Sequence, residues 1–193
     1  MAATEPIRSK KDLQELKDFY IVNKPNVRNS TLINFGLNSI LRISDLLNLK
    51  WKDVYNFEEN HFRTHIQVTE TKTGKENKIA LNQNAIESLE ILKQSISDLQ
   101  PDMYLFYGKN GFYSHLSRSQ AYRIIRQAAE GTHLGNHISC HSLRKTFGYH
   151  AWKNGIQPAM LMELYNHSSY SITKHYLGID QNEKDSVFLE INL

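Results

Sequence analysis

The sequence holds a single cysteine, Cys140, among its 193 residues, so no internal disulfide framework can form. That usage fits a reducing cytoplasm, which is the expected compartment. No apolar run approaches the length of a membrane span, and the opening stretch MAATEPIRSKKDL lacks the apolar core of a signal peptide. No internal repeat and no low-complexity tract is visible. Charge of one sign is scarce as well: 23 Lys and Arg face 20 Asp and Glu, a net of +3. So mild an excess is compatible with nucleic acid without demanding it. Apolar residues are not lacking. A hydrophobic fraction of 40% suffices for a real core and argues against wholesale disorder. At this length one domain is expected, with residues 1–8 a loose arm, 9–180 the domain proper and 181–193 a tail.

Periodicity divides the chain. Ser9 precedes a stripe of Leu13, Leu16, Phe19 and Tyr20, which reads as an amphipathic helix with Asp12 at its positive end. NKPNVRNS is turn chemistry, and a second helix is expected over about 30–40. SDLLNL then starts a third at Ser44 and Asp45, leaving Arg42 at a junction of apolar helices, or else as a surface arginine paired with Asp45. HFRTHIQVTETKTGKENKIAL changes period. Phe62, Ile66 and Val68 form one β-rich run, Ile79 and Leu81 another, and Gly74 is the permissive turn position. Lys72 and Lys75 lie at the tip, either as solubilising edge charges or as a lysine delivered into a site. NQNAIESLEILKQSISDL is a helix that Pro101 should stop, 104–106 a short buried strand, and 119–129 another helix. The fold class expected is α+β, mainly α-helical, with one small antiparallel sheet at its edge.

The stretch from His141 to Tyr176 carries the chemistry. His141 and Arg144 share a helix face, and Ser139 is placed to cap that helix, where free N–H groups favour an anion. Pro158 opens an apolar helix that Asn166 can close in the left-handed conformation, with His167 next. Ser168 and Ser169 can cap the short helix that holds Tyr176. A guanidinium, two imidazoles and a phenol on successive helices suit a phosphate site with a nucleophile.

In these residues the chain resembles the catalytic domain of tyrosine recombinases, the phage-integrase family. Leu41-Arg42-Ile43-Ser44-Asp45 is similar to the family's first arginine box, and Lys72 falls in the hairpin that keeps its catalytic lysine. His141-Ser142-Leu143-Arg144 matches the H-x-x-R box, His167 the second histidine, and Thr173 to Tyr176 the box of the nucleophile. Asn166 stands where glycine is common, and Lys145 where His or Arg is. Most members carry an N-terminal helical domain; this chain begins at about the catalytic domain, and resembles either the short stand-alone members or a fragment of a longer one.

The resemblance implies the DNA breaking-rejoining fold, site-specific recombination through a 3′-phosphotyrosine, and no cofactor or metal. It implies that Arg42 and Arg144 clamp the phosphate, that Tyr176 attacks it, that His141 takes the phenol proton, that Lys72 protonates the leaving 5′-oxygen and that His167 steadies the pentavalent state. Asp45 would orient one of the cations. Only the resemblance singles out Tyr176 from the nearby Tyr165 and Tyr170. The implied partners are double-stranded DNA, three further copies of the chain in a homo-tetramer on that DNA, and accessory DNA-binding proteins, with no membrane. Arg118, Gln120, Arg123 and Arg126 are candidates for DNA contact, against the alternative of a solvated helix face. The apolar tail Val187, Phe188, Leu189 and Ile191 can dock on its own domain or on a neighbouring subunit.

Rival readings are weaker. His133, His137, Cys140 and His141 are zinc-type ligands, but Gly135 breaks their register and no second ligand pair exists. Cys140 and His141 are adjacent on one turn, a poor thiol–base geometry. A non-catalytic DNA-binding regulator has no need of the phenol. A type IB topoisomerase uses the same chemistry, against which the compact spacing argues.

Overall fold

The computed structural model of the chain describes residues 4–72, 74–179, 185 and 188–191. In chain order the elements are α1 (Lys10–Val22), α2 (Val27–Asn38), α3 (Ile43–Leu47), α4 (Trp51–Val54), β1 (Tyr55–Asn56), β2 (His61–Phe62), β3 (His65–Thr69) and β4 (Glu76–Ala80). There follow α5 (Gln83–Gln94), β5 (Tyr107–Gly108), β6 (Gly111–His115), α6 (Arg118–Gly131), α7 (Cys140–Lys153), α8 (Pro158–Tyr165) and α9 (Tyr170–Leu177). The architecture is mainly helical with a small antiparallel component, as the sequence indicates.

Helix α2 is the axis of the packing and lies against α1, α5 and α7. One core gathers around Phe35, Trp51, Leu89 and Phe106. A second joins Leu16 of α1, Ile33 of α2, Ile125 of α6 and Leu143 of α7. A third, small cluster of Tyr149, Tyr165, Leu177 and Ile179 ties α7, α8 and α9 together. That last cluster holds the helix that bears Tyr176.

Cap chemistry sets most helix ends. Ser9 Oγ accepts from Asp12 N at 3.2 Å, and Ser169 Oγ from Ile172 N at 3.3 Å. Asn166 closes α8 at φ 55°, a conformation asparagine tolerates. At α7, Ser139 is the N-cap residue but contributes its backbone: its N–H donates to Ser142 Oγ at 3.1 Å.

The structure departs from expectation at several points. Helix α2 starts earlier, because Asn26 Oδ1 accepts from Asn29 N and turns the asparagine-rich stretch into a cap. It also ends earlier. Ile40 takes φ 48°, a costly value for a β-branched residue, and swings the chain towards Arg42. Phe62 leaves the hairpin run and pairs with Tyr55 in a separate ladder, so the strands form three two-stranded ladders among the described residues. Helix α5 stops well before Pro101, where Ser95 Oγ donates to Leu92 O. Tyr104 makes only an isolated bridge to Lys50, and the ladder lies at β5 and β6.

The stretch expected to be a loose arm is pinned from Thr4 onward. Ile7 is 3% exposed, its N–H donates to Thr146 Oγ1, and Lys145 Nζ donates to Thr4 O at 2.6 Å. Burial of one isoleucine in the α1–α7 core is the physical reason. Most of residues 181–193 falls outside the described residues. Phe188, Leu189 and Ile191 are described and are exposed, so those three do not dock on their own domain. No helix among the described residues is long and apolar enough to cross a membrane.

Candidate active site

Four helical segments and one hairpin bring the singled-out side chains to one region. Arg42 is the N-cap residue of α3. His141 and Arg144 occupy the first turns of α7. His167 follows the left-handed Asn166 at the end of α8, and Tyr176 lies in the last turn of α9. Lys72 is exposed in the turn between β3 and β4, and its charge is felt at His141.

The aromatic side of the site is tightly stacked. The His167 and Tyr176 rings meet edge to face at 5.3 Å, and Tyr165 lies 5.5 Å from Tyr176 and 5.6 Å from His167. The guanidinium of Arg144 sits 4.9 Å from the centre of the Tyr165 ring, and the Tyr165 hydroxyl donates to Arg144 O at 2.7 Å. The charge of Arg144 also acts on the Tyr176 phenol from close by. Tyr165 is fully buried, which separates the two tyrosines: one holds the backbone of Arg144, the other presents its phenol to the guanidinium. Phenol and guanidinium therefore meet within one chain.

Charge in the site follows burial. Desolvation, then the nearby Arg144, Lys145, Lys72 and Arg42, push the His141 imidazole below its ordinary 6.5. Desolvation and then Arg144 and Arg42 do the same to His167. Both rings are thus neutral at neutral pH. Desolvation raises the Tyr176 phenol above its ordinary 10, and Arg144 and Arg42 only partly offset this. The phenol keeps its proton until a base takes it. His167 Nδ1 lies 3.1 Å from Thr173 Oγ1, which anchors that ring to α9. Lys145 Nζ stands 5.1 Å from the centre of the Tyr176 ring.

Asp45 does not touch a cation through its bonded oxygen. Its Oδ1 accepts from Thr71 N at 3.0 Å and Thr71 Oγ1 at 2.6 Å, so it fastens the root of the hairpin that bears Lys72. The cation partner is a residue that sequence reasoning missed. Glu70 Oε2 lies 2.6 Å from Arg42 Nη1, an ion-pair contact without an aligned hydrogen bond. A signal for it existed: Ile66, Val68 and Glu70 alternate along one strand face, and a carboxylate continuing an apolar face needs a partner.

Among the DNA-contact candidates, Arg118 and Arg123 are exposed on α6. Gln120 Oε1 accepts from Ser117 N at 2.8 Å and caps the helix. Arg126 must be withdrawn from that set. It is 9% exposed, and its guanidinium donates to Gly135 O, Ile138 O, Glu130 Oε1 and Asn136 Oδ1, so it ties down the loop before α7. Burial also pushes the Cys140 thiol up to about 11, which leaves it a poor nucleophile. Among the described residues no group of three or more His, Cys, Asp or Glu is placed to hold a metal ion.

A sequence description of the phage integrase family matches residues 9–183, and the chain belongs to that family. It is 44% identical over 186 residues to a probable integrase/recombinase, YoeC, of Bacillus subtilis, covering 94% of this chain and 93% of the other. It is 31% identical over 157 residues to the tyrosine recombinase XerC of Neisseria meningitidis, where the match covers 80% of this chain but only 48% of XerC. The chain thus spans about half the length of that relative. In fold it is similar to the crystal structure of XerA recombinase, with a TM-score of 0.75 at 18% identity, over 98% of this chain and 65% of that one. A lambda integrase dimer bound to a COC′ core site gives 0.68 at 16% identity, over 92% and 60%.

Proposed function

We propose that this chain is a tyrosine-type site-specific DNA recombinase. It cleaves and rejoins duplex DNA through a 3′-phosphotyrosyl link, in integration, excision or inversion. The single observation that carries the reading is the Tyr176 phenol lying beside the Arg144 guanidinium, with the charge of Arg42 felt at both.

The chemistry follows from the charges. Arg42 and Arg144 hold the non-bridging oxygens of the scissile phosphate through planar donors. The Tyr176 oxygen attacks phosphorus, and its proton passes to the neutral His141 ring. The bond from phosphorus to the 5′-oxygen breaks, and Lys72 gives that oxygen its proton. His167 hydrogen-bonds the phosphate as negative charge builds. The ester energy is kept in the tyrosyl link, so religation by the 5′-hydroxyl reverses each step without ATP. The guanidinium pair supplies the charge that a metal supplies elsewhere, so the reading needs no cofactor. Arg118 and Arg123 contact DNA, four copies assemble on two duplexes, and the apolar tail docks on a neighbouring subunit.

The test uses nicked duplexes tiled across the DNA that flanks the chain's own coding sequence. The wild type should leave a covalent protein–DNA adduct on one of them, and Tyr176→Phe should bind that duplex without forming it. Full adduct formation by Tyr176→Phe eliminates the assignment of the nucleophile. Strong relaxation of a plasmid without that site would favour a topoisomerase instead.

A further inference from the structure

Glu70 continues the inward face of β3 after Ile66, which is fully buried, and Val68, which is partly so. Its side chain is 2% exposed, and a charge so placed is costly unless an opposite charge meets it. Arg42 Nη1 does so at 2.6 Å. The same carboxylate is felt at Arg144, which is itself 4% exposed and feels Arg42 as a repelling neighbour. Two guanidinium groups held this close repel each other until an anion lies between or behind them. Arg42 keeps 19% of its side chain open, whereas Glu70 is closed off. The carboxylate therefore lies behind the arginine and leaves the open edge for another anion.

The backbone of Glu70 has a separate task. Its N–H donates to Lys75 O at 2.9 Å and its carbonyl accepts from Gly74 N at 2.8 Å, which closes the turn that carries Lys72. Asp45 fastens the next residue, Thr71. These backbone bonds do not use the Glu70 side chain.

We infer that Glu70 is a positioning residue for the guanidinium pair: its carboxylate orients Arg42 and offsets the repulsion between Arg42 and Arg144 before DNA arrives. The inference rests on the recombinase reading above. It makes Glu70 a standing partner of Arg42 that remains in place when the phosphate binds.

The experiment compares the wild type with Glu70→Gln on the duplex that forms the adduct, with three kinds of scissile link. On the natural link Glu70→Gln should slow adduct formation about 10- to 100-fold, the low end of the scale for losing one close charge pair. On a methylphosphonate link, which removes the negative charge that Arg42 acts on, the variant should match the wild type. On a 5′-bridging phosphorothiolate link, whose thiolate leaves without a proton, the slowing should persist, because that link bypasses Lys72 and not Arg42. Glu70→Asp, which keeps the charge but draws it back, should show a smaller loss with the same selectivity, and serves if the Gln variant does not fold. In an Arg42→Ala background Glu70→Gln should cost nothing more. Equal slowing on all three links would mean a general loosening of the hairpin and overturn the inference. So would relief on the phosphorothiolate link, or no slowing on the natural one. No adduct from the wild type would instead sink the recombinase reading.

Discussion

Replacing Gly148 by alanine should separate stability from catalysis. Gly148 lies in α7, and a Cβ there would stand 2.5 Å from the Tyr165 hydroxyl oxygen and 2.6 Å from Leu177 Cδ2. Ordinary contact between such atoms is about 3.5–4.0 Å, so roughly 1 Å must open between α7 and the pair α8 and α9. Overpacking of this kind costs about 1–3 kcal/mol, of which the better helix propensity of alanine returns about 1. The net loss is about 0–2 kcal/mol, or a drop in Tm of up to roughly 8 °C at this chain length. Catalysis should suffer more. Leu177 is the neighbour of Tyr176, and Tyr165 holds Arg144 O through its hydroxyl at 2.7 Å, so the shift reaches both the proposed nucleophile and the proposed phosphate clamp. A 1 Å misplacement of reacting groups costs on the order of 100-fold. The assay pairs a thermal melt and a DNA-binding isotherm with the rate of adduct formation on a nicked duplex. A folded Gly148→Ala protein that cleaves within about threefold of the wild-type rate would refute the close approach of α7 to α9 as the device that sets Tyr176.

Adduct formation should fall as the pH drops below about 6.5 and stay level up to about pH 9, because His141, the proposed base, is neutral above its depressed pKa while the Tyr176 phenol titrates above 10. A rate that climbs steadily from pH 6 to 9 would contradict that assignment. Stability should fall on the same acid side: His141 and His167 have lowered pKa values when folded, so below 6.5 the unfolded chain binds more protons. Melts between pH 7.5 and 5 would check the sign. Arg126→Ala should lower stability by about 2–4 kcal/mol, since four acceptors lose a buried donor, while the DNA sequence preference stays as in the wild type. Arg118→Ala and Arg123→Ala should each weaken DNA binding and reduce the salt slope by about one, read from binding isotherms at several salt concentrations.

The helices and their caps were legible because their causes are local. Ser9, Asn166 and Ser169 act within a few residues of the ends they form. Boundaries went astray where two local readings competed: Asn26 looked like turn chemistry and is a cap, and Ile40 looked helical and is left-handed. Roles of single charges were the least legible. Arg123 and Arg126 are three residues apart on one helix, yet one is exposed and the other is enclosed by the loop before α7. Likewise Asp45 and Glu70 are both buried acids beside the site, and the one nearer to Arg42 in sequence is not the one that pairs with it.

From the order of residues alone came the helical class of the domain and the separation of its polar boxes, whereas a phenol with two guanidinium groups as the chemistry came from the family resemblance of those boxes. Periodic burial and cap bonds reach across only a turn or two of chain, so a linear string is enough to state them. Which carboxylate would meet Arg42, which tyrosine would be sealed and which would face a guanidinium, and that Thr4 and Ile7 would brace α7, were decided by packing. Those outcomes depend on desolvation, and a group loses its water only when segments far apart in sequence close over it.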